Sequence, residues 1–311
     1  MAGNPWNEQN HPCSRPKWPA RFTAPHVDAV ARRLKRVFDQ NANSGYFTCE
    51  EIKDYSYYER MLVESLEGID RKIIGGRLSV VDLKSYPRIV RMDRGVVRAC
   101  IYIGSFDPFQ LTHCMVAMRF LASEQSNADF VIVVPEGSAD PRKPLKTDYA
   151  FRLSIARLQI DDVFDPFMKV LDLGSQADTI EIVRRFIGLN AGLRLELTHL
   201  IGSDVLPVAA RYLEQDLKIW RQEAKSSGVD WKHRLFVVQR SPDDDPSAYM
   251  PVFEQQGIDV AVDASILGTP SSTDFRDRRM FTIILPTPAI REKMEILFRY
   301  RMHRNWTSEE S

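Results

Sequence analysis

From about residue 97 onward, the chain alternates short apolar runs with segments of helical periodicity. The apolar runs have the lengths and residue types of strands. The strand candidates are Arg98–Ile103, Phe130–Val134, Phe167–Leu171, Thr198–Ile201, Leu235–Val238 and Asp259–Val262. The helical patterns are Cys114–Glu124, Tyr149–Gln159, Gln176–Gly188, Pro207–Gln222 and Tyr249–Gln256, and a last one covers about Pro288–Tyr300. This alternation predicts an α/β fold with a doubly wound parallel sheet, helices on both faces, and ligands at the carboxyl ends of the strands.

The first third of the chain has a different pattern. Residues 1–22 are rich in proline, asparagine and tryptophan, which predicts an extended arm. Residues 23–95 have helical periodicity without a clear long strand, which predicts a small helical domain. The α/β domain is then expected at 96–303, followed by a polar tail at 304–311.

Within the helical domain, the segment Phe38–Ile52 resembles an EF-hand calcium loop with one extra residue. Such a loop needs oxygen ligands at alternate positions, a glycine at the turn and a late glutamate. The residues that resemble these are Asp39, Asn41, Asn43, Gly45 and Glu51. A weaker second copy at 75–83 lacks oxygen ligands in its first half, so we expect a degenerate EF-hand-like pair without sensor-range calcium affinity. A plain helical domain with polar turns is the alternative.

The composition is that of a globular protein, and it argues against several classes of function. Lysine plus arginine and aspartate plus glutamate both number 42, so the zero net charge gives no support for binding nucleic acid or an anionic membrane. No apolar stretch approaches the roughly 18 residues of a membrane span, and the N-terminus lacks the apolar core of a signal peptide. Cys13, Cys49, Cys100 and Cys114 lack metal-type spacing, so we expect a cytoplasmic protein with reduced thiols.

The most informative segment is Ile101–His113, in which an apolar run ends at a glycine and a helical pattern opens at a histidine. Gly104 has no side chain, so the backbone can approach ligand phosphates closely. His113 near a helix N-terminus can donate a hydrogen bond to phosphate oxygens, and the helix end adds a partial positive charge. A helix-capping histidine without a ligand is the alternative.

A second segment with phosphate-binding character is Thr269–Arg276. Ser271, Ser272 and Thr273 have the residue types of a helix N-cap, where hydroxyl and backbone N–H groups form an anion site. Arg276 follows Thr273 by one helical turn, so we expect it to face the same ligand. An ordinary capped helix with a surface arginine is the alternative.

Together, and in this order, the two segments resemble the paired signatures of the nucleotidyltransferase superfamily of adenylyl- and cytidylyltransferases, G-x-F-D/N-P-x-H/T-x-G-H and I-S-S-T-x-x-R. The resemblance covers about residues 98–300 and implies a Rossmann-like fold there. The long interval between the signatures is most similar to the branch that adenylates nicotinamide or nicotinate mononucleotide. Gln110 stands at the family's His or Thr position and Thr112 at its Gly position, which leaves open an altered substrate or a weakened enzyme.

The resemblance also implies a role for each candidate site residue. The α-phosphate would contact His113 and Gln110, and the loop after the second strand would bring Lys143 or Lys146 to the phosphates. The leaving pyrophosphate would be bound by Ser271, Ser272, Thr273 and Arg276. The remaining nucleotide-binding positions are Gly104, Ser105 and Phe106 in the first signature, and Gly202 and Asp204 in Ile201-Gly202-Ser203-Asp204. The acceptor would contact Arg152, Trp220 and Arg240. Tyr212 is the alternative to Trp220 for stacking on the pyridine ring, and Trp220 would then be an ordinary core residue.

The function implied by this resemblance is transfer of AMP from ATP to the phosphate of nicotinamide or nicotinate mononucleotide, with release of pyrophosphate and formation of NAD or its deamido form. Mg²⁺ would enter with ATP, and we expect no metal held by the protein alone. The expected partners are ATP and a small phosphorylated acceptor, without nucleic acid or membrane, and the sequence leaves open a homo-oligomer and a protein partner for the N-terminal domain. The alternatives are an adenylyl- or cytidylyltransferase with another acceptor, and a catalytically weak nucleotide-binding regulatory protein.

Overall fold

The computed structural model of the chain describes residues 15–42, 49–84, 86, 95–137, 146–239 and 243–264, with the backbone alone at 49–54. Its helices are α1 Pro25–Ala42, α2 Cys49–Ile74, α3 Leu111–Ala122, α4 Tyr149–Ile160, α5 Thr179–Leu189, α6 Leu206–Ser226 and α7 Met250–Gln255. Its strands are β1 Val96–Gly104, β2 Phe130–Pro135, β3 Met168–Val170, β4 Arg194–Gly202, β5 Asp230–Val238 and β6 Asp259–Asp263. Among these helices, none combines the length and the apolar character that crossing a membrane requires.

All six strands are parallel and form one sheet in the order β3-β2-β1-β4-β5-β6. The predicted α/β parallel sheet is therefore confirmed, with every predicted strand and the five helical patterns up to Gln256. The pattern at Pro288–Tyr300 lies outside the described residues. Strand order reverses between β1 and β4, and such a switch point leaves a crevice at the carboxyl ends of the two strands.

Each face of the sheet has its own hydrophobic core because successive strand residues point to opposite faces. On β1, Cys100 belongs to the core shared with α3 and α4, whereas Ala99 and Ile101 belong to the core shared with α5 and α6. Burial raises the thiol pKa of both Cys100 and Cys114, which are free cysteines. These two thiols are structural and unreactive, since the thiolate is the reactive form.

Helices α1 and α2 form an antiparallel hairpin that adds a layer outside α3. At one end of the hairpin, the carboxylate of Asp70 on α2 accepts hydrogen bonds from the N–H groups of Thr23 and Ala24, just before α1 begins. Near the other end, Asn41 donates to the hydroxyl of Tyr55 at 2.8 Å. The apolar side chains of the hairpin belong to the same core as those of α3 and α4.

The EF-hand likeness stays a prediction, because residues 43–48, which follow α1 in the sequence, lie outside the described residues. Two of its candidate ligands are described. The carboxylate of Asp39 is bonded to Arg15 at 2.7 Å and to Lys35 at 2.6 Å. Asn41 directs its amide nitrogen to Val37 and Tyr55 within the hairpin. Asp39 would therefore have to exchange two cationic partners for calcium.

Two buried histidines predict a loss of stability in mild acid. His199 on β4 and His233 on β5 lie on the α6 face with ring centroids 6.2 Å apart. Burial lowers the pKa of His199 to about 4, and burial together with His199 lowers that of His233 to about 3. The unfolded chain binds these protons near pH ~6.5 and the folded chain does not, so the free energy of unfolding should fall by ~2–4 kcal/mol between about pH 7 and about pH 5.

Urea unfolding at the two pH values measures this loss, and a double variant, His199→Gln with His233→Gln, is the control. Its unfolding free energy should change less over the same interval, because glutamine does not titrate there. An equal loss in the wild type and in the double variant would assign the acid sensitivity to carboxylates elsewhere.

Candidate functional site

The first signature forms the turn between β1 and α3 at the switch point of the sheet. Gly104 is the last residue of β1, and Phe106 has a positive φ of 44°, a conformation that costs energy for a bulky side chain. A Cβ atom at Gly104 would lie 3.0 Å from the ring of Phe106. A side chain at position 104 would therefore press on the Phe106 ring, which folds back over Gly104, a contact that the sequence alone did not indicate.

His113 is the third residue of α3, and its ring is held in one orientation. Its Nδ1 accepts a hydrogen bond from the backbone N–H of Gln110 at 3.1 Å. The ring packs against Phe106 and Phe109, with centroid distances of 5.0 and 5.2 Å, and these two rings also contact each other at 5.1 Å. Because Nδ1 acts as an acceptor, the ring proton resides on Nε2, and His113 is a neutral Nε2–H donor at the start of a helix.

The two positions that depart from the family signature have clear structural surroundings. Gln110 precedes α3 as its N-cap residue, and its side chain is fully buried. Thr112 is 4% exposed, and its hydroxyl lies 3.0 Å from the hydroxyl of Tyr58 on α2. Both departures therefore belong to the packing of the α3 N-terminus, and contact between Gln110 and a phosphate stays a prediction.

Buried polar side chains of α4 hold the turn between β1 and α3 in place by hydrogen bonds. Arg152 is 2% exposed and donates to the backbone oxygens of Thr147 and Ser105, the first at 2.9 Å. Gln159 donates to the backbone oxygen of Phe109 at 2.6 Å. Arg152 supports the turn, because its guanidinium is bonded to backbone carbonyls. Its contact with the acceptor stays a prediction.

A further bond closes the same turn on its other side. The carboxylate of Asp107 accepts from the backbone N–H of Thr147 at 3.0 Å and from the Thr147 hydroxyl. The ammonium of Lys146, the residue before Thr147, lies 3.9 Å from the carboxylate of Glu136, which directly follows β2. Lys146 therefore lies at the carboxyl edge of the sheet, the edge to which the nucleotide-binding prediction assigned it.

The other predicted nucleotide-binding residues follow the neighbouring strand. Gly202 ends β4, and β4 pairs with β1 up to Tyr102 and Leu200, so Gly104 and Gly202 finish on the same edge. Asp204 is exposed in the 3-10 turn Ser203–Val205 directly after Gly202. The sheet thus brings the ends of the first signature and of the Ile201–Asp204 segment together at the switch point.

Trp220 does not join this group. It is 3% exposed on α6, donates from its ring nitrogen to the backbone oxygen of Ile180, and lies against Trp231 and His233 near the amino end of β5. This is the core role that the sequence analysis kept as the other reading. The remaining predicted site residues, which lie outside the described residues, are Lys143, Arg240, Ser271, Ser272, Thr273 and Arg276.

Three residues that support the site were not identified from the sequence: Tyr58, Thr147 and Gln159. Tyr58 and Gln159 lie 54 and 50 residues from the positions that they bond, and no local pattern connects them. Thr147 could have been found, because Asp107 lies inside the signature and a buried carboxylate needs a donor nearby.

The metal predicted for this site is Mg²⁺ that enters with ATP. Within the part of the chain that the structure describes, no three histidine, cysteine, aspartate or glutamate side chains lie close enough together to hold one. Mg²⁺ binds readily through phosphate oxygens and water with few protein ligands. The arrival of Mg²⁺ with a triphosphate stays a prediction.

Comparison with known proteins gives similarity in three dimensions only. No protein-family model matches the chain, and no curated protein matches it. Two solved structures of the Plasmodium falciparum nicotinic acid mononucleotide adenylyltransferase, complexed with APC and with NaAD, are each 16% identical to it. They cover 66% and 67% of this chain and 96% and 98% of their own, with TM-scores of 0.44 and 0.43. Likeness at this level establishes neither family membership nor activity.

Replacement of Arg152 by methionine tests whether this arginine supports the turn. The change leaves two backbone carbonyls without their buried donor, so the free energy of unfolding should fall by ~2–4 kcal/mol. Chemical denaturation measures the loss. Arg157→Met is the matched control, because Arg157 lies on the same helix and is exposed. If the two variants are equally stable, the buried bonds of Arg152 contribute little to the fold.

Proposed function

We propose that this protein is a nucleotide adenylyltransferase that transfers AMP from ATP to the phosphate of nicotinamide or nicotinate mononucleotide. The observation that carries the proposal is His113, a neutral Nε2–H donor at the N-terminus of α3 beside the switch point of a parallel sheet. A helix N-terminus in this position favours phosphate, and a fixed donor next to it favours a reacting phosphate. The second signature, with Ser272, Thr273 and Arg276, supports a triphosphate as the donor substrate.

The reaction requires positioning more than acid–base chemistry. A phosphate oxygen of the acceptor attacks the α-phosphorus of ATP in line, the bond to the bridging oxygen breaks, and pyrophosphate leaves with the electron pair. Negative charge grows on the phosphate oxygens, and His113 would donate to one of them as it does so. Mg²⁺ bound to the triphosphate would neutralise part of the charge on the leaving group.

The surroundings of His113 suit this role. Phe106 and Phe109 pack against the ring, with centroids 5.0 and 5.2 Å from it, and restrict its orientation. The buried bonds of Arg152 and Gln159 fix the same turn. A donor held in this way undergoes little reorganisation when charge develops, which is the condition for stabilising a transition state.

For the acceptor, Tyr212 is the stronger of the two aromatic candidates. It is 48% exposed on the second turn of α6, whereas Trp220 is in the core. Helix α6 begins just after β4, so Tyr212 lies nearer than Trp220 to the carboxyl edge of the sheet. We therefore assign stacking on the pyridine ring of the acceptor to Tyr212.

The second candidate function is a nucleotide-binding regulatory protein with little turnover, and the burial of Gln110 favours it. The family signature has a histidine or threonine at this position, whereas the amide here faces the protein interior. An acceptor panel with ATP or CTP separates the candidates by pyrophosphate release. Pyrophosphate release with pyridine mononucleotides alone supports the first proposal. Pyrophosphate release with phosphopantetheine would show that the enzyme uses a different acceptor. Nucleotide binding without pyrophosphate release supports the regulatory protein.

Three substitutions of His113 separate catalysis from helix capping. Alanine removes both ring nitrogens, asparagine keeps an acceptor near the Nδ1 position, and glutamine keeps a donor near the Nε2 position. Turnover should fall at least ~10²-fold for alanine and asparagine, with a smaller change in ATP affinity, and less for glutamine. Pyrophosphate release under saturating ATP measures turnover, and thermal unfolding reports the cap. Normal turnover in a destabilised alanine variant would leave His113 as a capping residue only.

Arg276 tests the assignment of the triphosphate. Arg276→Ala removes a charge-assisted hydrogen bond to the phosphates, so ATP binding should weaken by ~1.5–3 kcal/mol. Titration calorimetry with a non-hydrolysable ATP analogue measures the change. Arg278→Ala is the matched control, because Arg278 is two residues away and off the spacing of the signature. Equal affinity in both variants would contradict this assignment.

A further inference from the structure

A buried hydrogen bond joins the N-terminal hairpin to the residue next to His113. The hydroxyl groups of Tyr58 on α2 and Thr112 on α3 lie 3.0 Å apart. Tyr58 is 1% exposed and Thr112 is 4% exposed, so both hydroxyls are removed from bulk water. Loss of either one would leave its partner buried with one hydrogen bond fewer, which is unfavourable. The two side chains are therefore matched to each other.

Helix α2 also holds α3 at its other end, and the two helices run in the same direction. Gly68 follows Tyr58 by ten residues, as Ala122 follows Thr112. A Cβ atom at Gly68 would lie 2.8 Å from that of Ala122, so the helices touch there through glycine. One turn further, Lys72 donates from its ammonium to the backbone oxygens of Leu121, Ser123 and Ser126, at 2.8, 2.9 and 3.0 Å. Contacts at both ends leave α3 little freedom to slide or rotate against α2.

The position of α3 determines the position of His113. Thr112 and His113 are consecutive in the first turn of α3, and the turn that carries Phe106 and Phe109 is fixed separately by α4. The His113 ring thus lies where two independently anchored parts of the chain meet. A shift of α3 by a fraction of an ångström would change the direction of its Nε2 donor relative to that turn.

We infer that Tyr58 and Thr112 are positioning residues, and that α2 sets the catalytic geometry of His113 through their hydrogen bond. The inference rests on the proposed function and extends it to the N-terminal hairpin, which would then be a structural part of the active site. It also gives a reason for threonine at a position where the family signature has glycine. Glycine there would remove the hydroxyl that Tyr58 contacts.

The test is a double-mutant cycle with Tyr58→Phe and Thr112→Val, each of which removes one hydroxyl and keeps the shape. Each single change should lower turnover ~3–10-fold with KM for ATP within about 2-fold, because the donor is misdirected while the binding site persists. The double variant should be no slower than the slower single variant, since both changes break one bond. Thr112→Ser, which keeps the hydroxyl, should retain wild-type turnover.

Tyr55→Phe is the matched control. Tyr55 lies one turn before Tyr58 on α2, and its hydroxyl receives a bond from Asn41 of α1. The control weakens the hairpin without touching this bond to α3, so turnover should stay within about 2-fold of the wild type. If Tyr55→Phe slows the reaction as much as Tyr58→Phe, general loosening explains both effects and the inference is wrong. Additive losses in the double variant would contradict it as well.

A spectroscopic readout keeps the inference separate from the proposed function. The ring protons of His113 lie close to two phenylalanine rings, so their NMR chemical shifts report the position of the imidazole. They should move in Tyr58→Phe and in Thr112→Val and stay unchanged in Tyr55→Phe. If the wild type releases no pyrophosphate with any acceptor, the proposed function is wrong. The chemical shifts of the His113 ring protons then still show whether the Tyr58–Thr112 bond sets the position of His113. Unmoved ring protons in a protein that does release pyrophosphate would overturn the coupling alone.

Discussion

The arrangement of the site depends on the burial of α3 on nearly all sides. Nine of its twelve residues are buried, from Leu111 at its start to Leu121 near its end, because the sheet covers one side and α2 another. A helix with so much apolar surface is stable only inside a protein. The N-terminal hairpin buries the part of this surface that faces away from the sheet. Buried packing is dense and resists small displacements, so the first turn of α3 is a fixed platform. His113 takes its orientation from that platform.

The polar contacts around this platform follow from the same burial. A buried backbone carbonyl or hydroxyl needs a partner, and water is not available to provide one. Lys72 meets the carbonyls at the end of α3, Gln159 and Arg152 meet those of the turn before it, and Tyr58 meets Thr112 at its start. Each bond satisfies a group that burial would otherwise leave unpaired. Together they fix the turn and the helix against each other.

The sequence predicted the sheet because hydrophobic residues recur with different periods in strands and in helices. The first signature, at the end of β1, marked the carboxyl edge of the sheet. The amino halves of β4 and β5 were missed, since exposed charged residues such as Arg194 and Lys232 interrupt their apolar pattern. For Trp220 the sequence left a core role open beside stacking on the acceptor, and it did not indicate that Arg152 donates to backbone carbonyls. Whether an aromatic ring or a guanidinium points into a core or a cleft depends on which helix covers it, and that is set by contacts between distant parts of the chain.

The parallel contact between α2 and α3 also has a consequence for the order of events during synthesis. Tyr58 and Thr112 are 54 residues apart, so at ~5–20 residues per second the ribosome adds Thr112 roughly 3–11 s after Tyr58. Until α3 has been added, the residues of α2 that contact it in the finished protein, Tyr58, Gly68 and Lys72, lack those contacts. This surface of α2 is therefore made before the helix that covers it, and its burial is completed only once that helix has been added.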